Sequence, residues 1–397
     1  MKDIQYLDLF SGAGGFSCGL RSAGLKTAAA IEIDRFAVDT YKHNFPDTKV
    51  YKRDIKTFSN EEIVSSFYNL DLIVGGPPCQ GFSVAGPYKF GILDDRNNLV
   101  LEMFRFVKLL SPNMVVIENV GNFKNGTLSS KHNVVQALFQ LFNDHGYETK
   151  IETLKAQNFG VPQMRTRVFI FGIKKDSGLS FPIINTTHGS GKKPYTTVNE
   201  ALNDLPQINA GEGYDNSPEK FEYEKVNLSS YQTKMRNGSK GIYNHEAMKH
   251  TERLIKRFKH IPQGGSLLDV PKEHGQRLRN GDELDKKPRF KMNNQRLNPA
   301  DISTCITASF QSTFVHPYLD RNLTAREGAR LQSFPDSFIF KGPRTLMSKK
   351  LLIRENREDE IGLSQYNQIG NSVPPLLAEC IGNAIYRSFK ELQDCEN

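Results

Sequence analysis

LDLFSGAGGFS, residues 7–17, is the stretch on which the reading of this chain turns. An apolar run ends in Gly12, Gly14 and Gly15, and a helix-like segment, Phe16–Ala23, follows. Small residues between a strand and a helix let the backbone approach a ligand closely, and the helix N-terminus adds N–H groups without intrahelical partners. The spacing is not the GxGxxG of a dinucleotide site, and no Gly-Lys-Ser/Thr follows, so this is not a P-loop. Glu32 comes 20 residues after Gly12, at the end of the next strand-like run. A carboxylate there can accept hydrogen bonds from ribose hydroxyls.

Working outward, short apolar runs alternate with helix-like segments through the first half of the chain, the pattern of a parallel sheet flanked by helices. The expected strands are Ile4–Leu9, Thr27–Ile33, Lys49–Arg53, Leu70–Val74, Met114–Ile117, Glu148–Leu154 and Val168–Ile173, with a helix at Leu99–Leu110. Asp54 ends the third run (VYKRDI), where it could receive an adenine amino group. With no phosphate signature, the pattern suits a nucleoside cofactor that lacks phosphates, such as S-adenosylmethionine. A tight turn with two surface carboxylates is the other reading.

The fourth strand runs into GGPPCQGFS, residues 75–83, so Cys79 falls just past its carboxyl end, where open parallel sheets bind their ligands. Two prolines stiffen the approach, which is unusual for an inert core cysteine, and a thiolate is a strong nucleophile. The fifth strand ends in VIENV, bringing Glu118 to the same edge. Together they suit a cytosine ring. Carbon 5 of that ring becomes nucleophilic once a thiolate has added at carbon 6, provided N3 is relieved of charge by a group such as Glu118. A cation near O2 would help, and Arg165 and Arg167 in QMRTR have the alternate spacing of one strand face.

After about Phe181 the texture changes. Residues 181–245 are rich in Pro, Gly, Asn, Ser and Thr with little periodicity. The expected division is a catalytic and cofactor-binding domain, 1–185 completed by 362–397, and a second, smaller domain, 186–361. Short helices are expected at Glu246–His260 and Thr324–Ser333, a terminal one at Pro375–Leu392, and an exposed charged insertion at Ser348–Glu360.

Composition narrows the classes. The 397 residues carry a net charge of +8, and residues 249–296 hold 13 Lys or Arg against six Asp or Glu. That concentration suits a polyanion, with the charges mostly on phosphates and a few side chains, in Gln263–Leu267 and Lys291–Gln311, reading base edges. A solvated basic surface is the plain alternative. Five scattered cysteines without a CxxC pair argue against disulfides and structural zinc, so no metal is expected. No run of about 18 apolar residues or secretory signal occurs, so a cytoplasmic protein with no membrane association is expected.

At these residues the chain resembles the DNA cytosine-5 methyltransferase family. DLFSGAGGFS is similar to its cofactor-binding opening, GGPPCQGFS to its nucleophile loop, ENV to its carboxylate motif and QMRTR to its paired arginines. LTAREGARLQSFPDSF (323–338) and QIGNSVPPLLAECIG (368–382) resemble its two late motifs, in the family's order. The resemblance implies a Rossmann-like α/β methyltransferase sheet whose last strand is antiparallel, a smaller target-recognition domain, and a C-terminal helix that rejoins the first domain. It implies Cys79 as nucleophile, Glu118 at N3 and the amino group, and Arg165 and Arg167 around the active site, Arg167 nearer O2. It implies cofactor contacts from Phe10, Gly12, Gly14, Gly15, Glu32, Asp54, Pro78, Asn371, Ser372 and Val373. Double-stranded DNA is the implied substrate, its target base swung out of the duplex and covered by the loop Gly81–Asn98. A restriction–modification role with a cognate endonuclease at the same site is also implied, and a monomer is the default. Gly328 stands where the family often has cysteine, and Ser333 where it often has glycine.

Three alternatives remain open on the sequence. Relatives that methylate cytosine in transfer RNA share the chemistry, but resemble a version with a shorter insert. A nicotinamide-dependent oxidoreductase would want the missing GxGxxG. A DNA-binding module with a dead site would lack Cys79 or Glu118.

Overall fold

The computed structural model describes residues 3–78, 98–120, 134–215, 222–225, 227–275, 294–345 and 349–396. They form two compact units: Met1–Phe159 with Thr166–Thr186 and Val373–Asn397, and Gly160–Arg165 with Thr187–Ser372.

The first unit is a seven-stranded sheet carrying helices. In chain order its elements are β1 (Gln5–Leu9), α1 (Gly15–Ser22), β2 (Lys26–Glu32), α2 (Arg35–Asn44), β3 (Lys49–Lys52), α3 (Asn60–Ser66), β4 (Leu72–Gly75), α4 (Asn98–Leu110), β5 (Met114–Val120), α5 (Val134–Asp144), β6 (Tyr147–Lys155) and β7 (Thr166–Lys174). The strand order is β3-β2-β1-β4-β5-β7-β6. The five strands β1–β5 pair in parallel, while β7 runs antiparallel to both β5 and β6. The expected methyltransferase-type sheet with an antiparallel last strand is therefore present, and each strand falls within three residues of its sequence reading.

Local chemistry explains where the helices begin. Asp34 caps α2 by accepting from the amides of Phe36 and Ala37, and Ser59 caps α3 by accepting from Glu62 N. Gly14 starts α1 with φ 91°, and a Cβ there would lie 2.7 Å from the Phe45 ring. Only glycine suits that conformation and that space. Leu7, Leu9, Ile31, Ile73, Val115 and Ile117 alternate along the central strands into one apolar core with Phe104, Phe106 and Phe142. The C-terminal helix, Pro375–Glu396, lies against α1 so closely that a Cβ on Gly19 would sit 2.3 Å from Pro375 O.

The second unit is built of short helices: α6 (Val198–Leu202), α7 (Ser230–Arg236), α8 (Glu252–Lys259), α9 (Phe310–Thr313), α10 (Ala325–Leu331), α11 (Lys349–Arg354) and α12 (Gln365–Asn371). Helix α10 is buried along its length, its charges included. Glu327 closes the capping box with Thr324 and takes a two-pronged ion pair from Arg321 at 2.7 and 2.8 Å. Arg330 is held between Asp204 and Asp336.

Four readings are refined here, each for a physical reason. Residues 181–245, expected to be irregular, contain α6 and α7, which rest on the capping boxes Thr197–Glu200 and Ser229–Gln232 rather than on long periodicity. The helix expected at Glu246–His260 begins six residues later, because His245 and Glu246 pair as a strand with Gly213 and Tyr214. The charged insertion is not wholly exposed, since α11 buries Leu352. The basic stretch is not all surface: Arg257 and Arg296 are buried, Arg296 bonding the carbonyls of Phe258, Ile261, His316 and Leu319 and the Asp320 carboxylate. Those two arginines are internal pegs. Much of the remaining stretch, 276–293, lies outside the described residues.

Candidate functional site

The strand order reverses between the parallel neighbours β1 and β4, since β2 and β3 lie on one side and β5 onward on the other. Open α/β sheets bind ligands outside the carboxyl ends of the strands at such a switch point. Both diagnostic loops leave the sheet there, the glycine turn after Leu9 and the Pro-Pro segment after Gly75.

On the glycine turn, Phe10 has φ 56° and Gly12 φ 53°. A left-handed conformation at a phenylalanine is strained, and such strain concentrates at ligand sites. Glu32, at the end of β2, organises this turn. Its Oε2 accepts from Gly12 N at 2.8 Å and its Oε1 from the amides of Ile33 and Asp34 at 2.9 Å each. Burial pushes the Glu32 carboxyl up from its ordinary value, while these three amides pull it back. Asp54 caps a short 3₁₀ turn after β3, accepting from Lys56 N at 3.0 Å. Beneath the turn, buried Asp8 accepts from Ser17 Oγ at 2.6 Å, and Ser17 accepts from Tyr41 Oη at 2.7 Å. Burial, aided by the nearby Glu32 charge, pushes the Asp8 carboxyl up to about 7. The sequence reading passed over Asp8, although an acid inside the apolar run Leu7–Leu9 is itself a signal of a buried partner.

The second loop reaches Pro77, buried, and Pro78, exposed; Cys79 and residues 81–97 of the expected covering loop lie outside the described residues. Glu118, on β5, lies beside the start of that loop: a Cβ built on Gly76 would sit 3.2 Å from Glu118 Oε2. Glu118 Oε1 is 2.9 Å from Arg167 Nε, and both side chains are only 14% exposed. Antiparallel pairing brings this about, because Val120 is opposite Arg167 and Glu118 opposite Phe169.

Arg165 behaves differently. It precedes β7 rather than sharing a strand face with Arg167, so the reading from alternate spacing fails: the strand begins only at Thr166. Arg165 is 1% exposed, and its guanidinium donates to the carbonyls of Ile306, Gly370 and Ser372. In the same unit Asn371 is exposed and Ser372 half-buried at the end of α12, while Val373, which belongs to the first unit, is buried. Gln163 and Gln332, neither singled out from the sequence, are fully buried beside Arg165 and bond to one another. Among the described residues no cluster of three His, Cys, Asp or Glu could hold a metal, and no helix is long and apolar enough to cross a membrane.

Comparison with known proteins agrees with this geometry. The family of C-5 cytosine-specific DNA methylases matches residues 4–387. The chain is 42% identical over 389 residues to the type II methyltransferase M.DdeI of Desulfomicrobium norvegicum, a span of 98% of this chain and 90% of that one. It is 34% identical to M1.HphI of Haemophilus parahaemolyticus over 97% of this chain and 87% of the relative. Among solved structures, a chain described as a DNA modification methyltransferase encoded within an Escherichia coli prophage superposes with a TM-score of 0.72 at 26% identity, covering 98% of this chain and 100% of its own. The S. pombe Dnmt2 methyltransferase matches with a TM-score of 0.59 at 17% identity, over 98% of this chain and 99% of its own, a likeness of fold alone. Sheet order, motif order and near full-length similarity converge: this protein belongs to the C-5 cytosine-specific DNA methylases and is a DNA cytosine-5 methyltransferase of the restriction–modification type.

Proposed function

We propose that this enzyme methylates carbon 5 of a cytosine within one specific duplex sequence, using S-adenosylmethionine and a covalent adduct between Cys79 and a base swung out of the helix. The observation that supports this most directly is Glu118, held by Arg167 and lying over Gly76, three residues ahead of Cys79.

In this reading the Cys79 thiolate donates its electron pair to carbon 6. A protonated Glu118 donates to N3, where the displaced ring electrons would otherwise build charge, and accepts from the amino group, while Arg167 steadies that side chain and the neighbouring O2. Carbon 5 is then nucleophilic. S-adenosylmethionine supplies, when bound, an electrophilic methyl group on a sulfonium. With the methyl group on carbon 5 and its former bonding pair left on the donor's sulfur, loss of the carbon-5 proton to water re-forms the ring double bond and expels the thiolate, restoring Cys79.

The residues at the switch point fit such a cofactor. A carboxylate offers about four acceptor positions, and Glu32 uses three of them on backbone amides, leaving Oε2 able to take a ribose hydroxyl. A Cβ on Gly12 would meet nothing within 4 Å, so the turn leaves room for a ligand. Ile33, 64% exposed beside Glu32, offers an apolar face to a purine. Phe10, Gly14, Gly15, Asp54, Pro78, Asn371, Ser372 and Val373 complete the proposed cofactor set. The first unit would carry catalysis, and the second would recognise the target, with the exposed cations of α8 on phosphates. A cognate endonuclease and a monomeric enzyme belong to the same proposal.

Duplex DNA carrying 5-fluorocytosine at the target tests the chemistry. It should trap a protein–DNA adduct stable to denaturing electrophoresis, because the proton whose loss releases the thiolate is missing. Cys79→Ser should abolish turnover and adduct while still binding S-adenosylmethionine in calorimetry. Full turnover by that variant would refute the covalent route.

A further inference from the structure

Four separate stretches of the second unit meet around one buried set of polar side chains. Arg165 Nη1 donates to Ile306 O at 2.7 Å, and its Nη2 to Gly370 O at 2.8 Å and Ser372 O at 3.1 Å. Gln332 Nε2 donates to Ile369 O at 2.9 Å and Ser372 O at 2.8 Å. Gln163 accepts from Ile306 N at 3.0 Å, donates to Leu331 O at 2.9 Å and bonds Gln332 directly. All three side chains are at most 1% exposed.

The acceptors have a common origin. Ile369, Gly370 and Ser372 lie at the C-terminal end of α12, where carbonyls run short of intrahelical donors, although Ile369 O keeps a capping bond from Ser372 N at 3.3 Å. A guanidinium at a helix C-terminus also meets the negative end of the helix dipole. Behind them, Gly370 presses against the Thr307 backbone, where a Cβ would lie 2.3 Å from Thr307 C. The turn that carries Asn371 and Ser372 is thus gripped on two sides, with Asn371 left projecting and exposed.

We propose that Arg165 and Gln332 form a clamp that positions the Asn371–Ser372 turn for the methyl donor, so that Arg165 is a positioning residue rather than a contact to the base. The inference rests on the proposed cofactor role of that turn. A planar guanidinium reaches two directions at once, and lysine cannot reproduce this. Methionine at 332 keeps the volume of glutamine but leaves the Ile369 and Ser372 carbonyls without this donor.

Calorimetry of S-adenosylmethionine binding to the free enzyme, paired with steady-state kinetics on duplex DNA, is the test. Arg165→Lys and Gln332→Met should each weaken donor binding about tenfold or more. Gln332→Met should raise KM for the donor in step while kcat at saturating donor stays within about threefold of wild type. Thermal unfolding identifies any variant that fails to fold, and Gln332→Met carries the test if Arg165→Lys does fail. Wild-type donor affinity in both folded variants, with kcat lost in Arg165→Lys, would overturn the clamp and put Arg165 at the base. Asn371→Ala separates the two readings. If it weakens donor binding and Gln332→Met does not, the clamp alone falls; if it leaves donor binding unchanged, the cofactor reading of the turn falls and the clamp falls with it.

Discussion

Arg167 Nε lies 2.9 Å from Glu118 Oε1, joining two residues 49 positions apart in the chain across the β5–β7 pair. Both groups are largely withdrawn from solvent, so the interaction is little screened and neither residue is easily replaced alone. In the proposed chemistry the cytosine must share this pair, with O2 drawing on the guanidinium as Glu118 turns to the N3 edge.

Removing one member should therefore disable both. Arg167→Ala and Glu118→Gln should each lower the single-turnover methylation rate about 10²–10³-fold. The double variant should fall little below the worse single one, since residues acting as a unit are not additive. Arg167→Ala with more than half the wild-type rate would contradict this.

Asp8 should make stability depend on pH in an unusual direction. Burial raises its carboxyl to about 7, so the folded protein holds that proton more tightly than the unfolded chain does. Its contribution is whole below the ordinary aspartate value and is lost as pH rises through about 7, on the order of 4 kcal/mol in all. Asp8→Asn keeps an acceptor for Ser17 and removes the titration. Urea denaturation at about pH 5 and about pH 8 should show wild type losing more stability between them than the variant does, and equal losses would remove this account of Asp8.

Ser333 bears a positive φ of 66° at the end of α10, at the position where the family often has glycine. Ser333→Gly should be about 1 kcal/mol more stable than Ser333→Ala, a comparison that removes the hydroxyl from both sides. The converse holds at Gly328, where a Cβ would fall 2.1 Å from the Phe310 ring. Gly328→Cys, restoring the common family residue, should cost about 1–3 kcal/mol by overpacking. Equal melting of the two Ser333 variants, or a neutral Gly328→Cys, would remove this account of the two departures.

The basic stretch should divide into two kinds of residue. Arg296→Ala should cost about 2–4 kcal/mol of stability, from the buried carbonyls it would leave unpaired, with no change in the salt slope of DNA binding. Lys256, exposed on α8, should do the reverse: Lys256→Ala should leave stability unaltered and reduce that slope by about one unit. Anisotropy titrations across a salt series distinguish them.

Much of the first unit was legible beforehand because its signals are local. Runs such as DLIVGG and MVVIEN, buried on both faces, can be little but central strands, and Gly14 declares a turn that other residues cannot make. Helices α6 and α7 escaped notice because they are two turns or less, too short to show a period. Arg165 and Arg167 look alike in QMRTR, yet one faces carbonyls brought from Ile306, Gly370 and Ser372 and the other a carboxylate on β5. No spacing rule distinguishes them.

Order along the chain therefore determined the class of fold, the motifs and the chemistry they suit, because strand periodicity, turn residues and a Pro-Pro-Cys loop depend on near neighbours. Which arginine meets Glu118, which seals the end of α12, and which of the basic residues are internal pegs was decided only in three dimensions. Each of those roles depends on desolvation and on partners between 17 and 207 residues away. A charge acquires its meaning only when burial fixes what it must pair with.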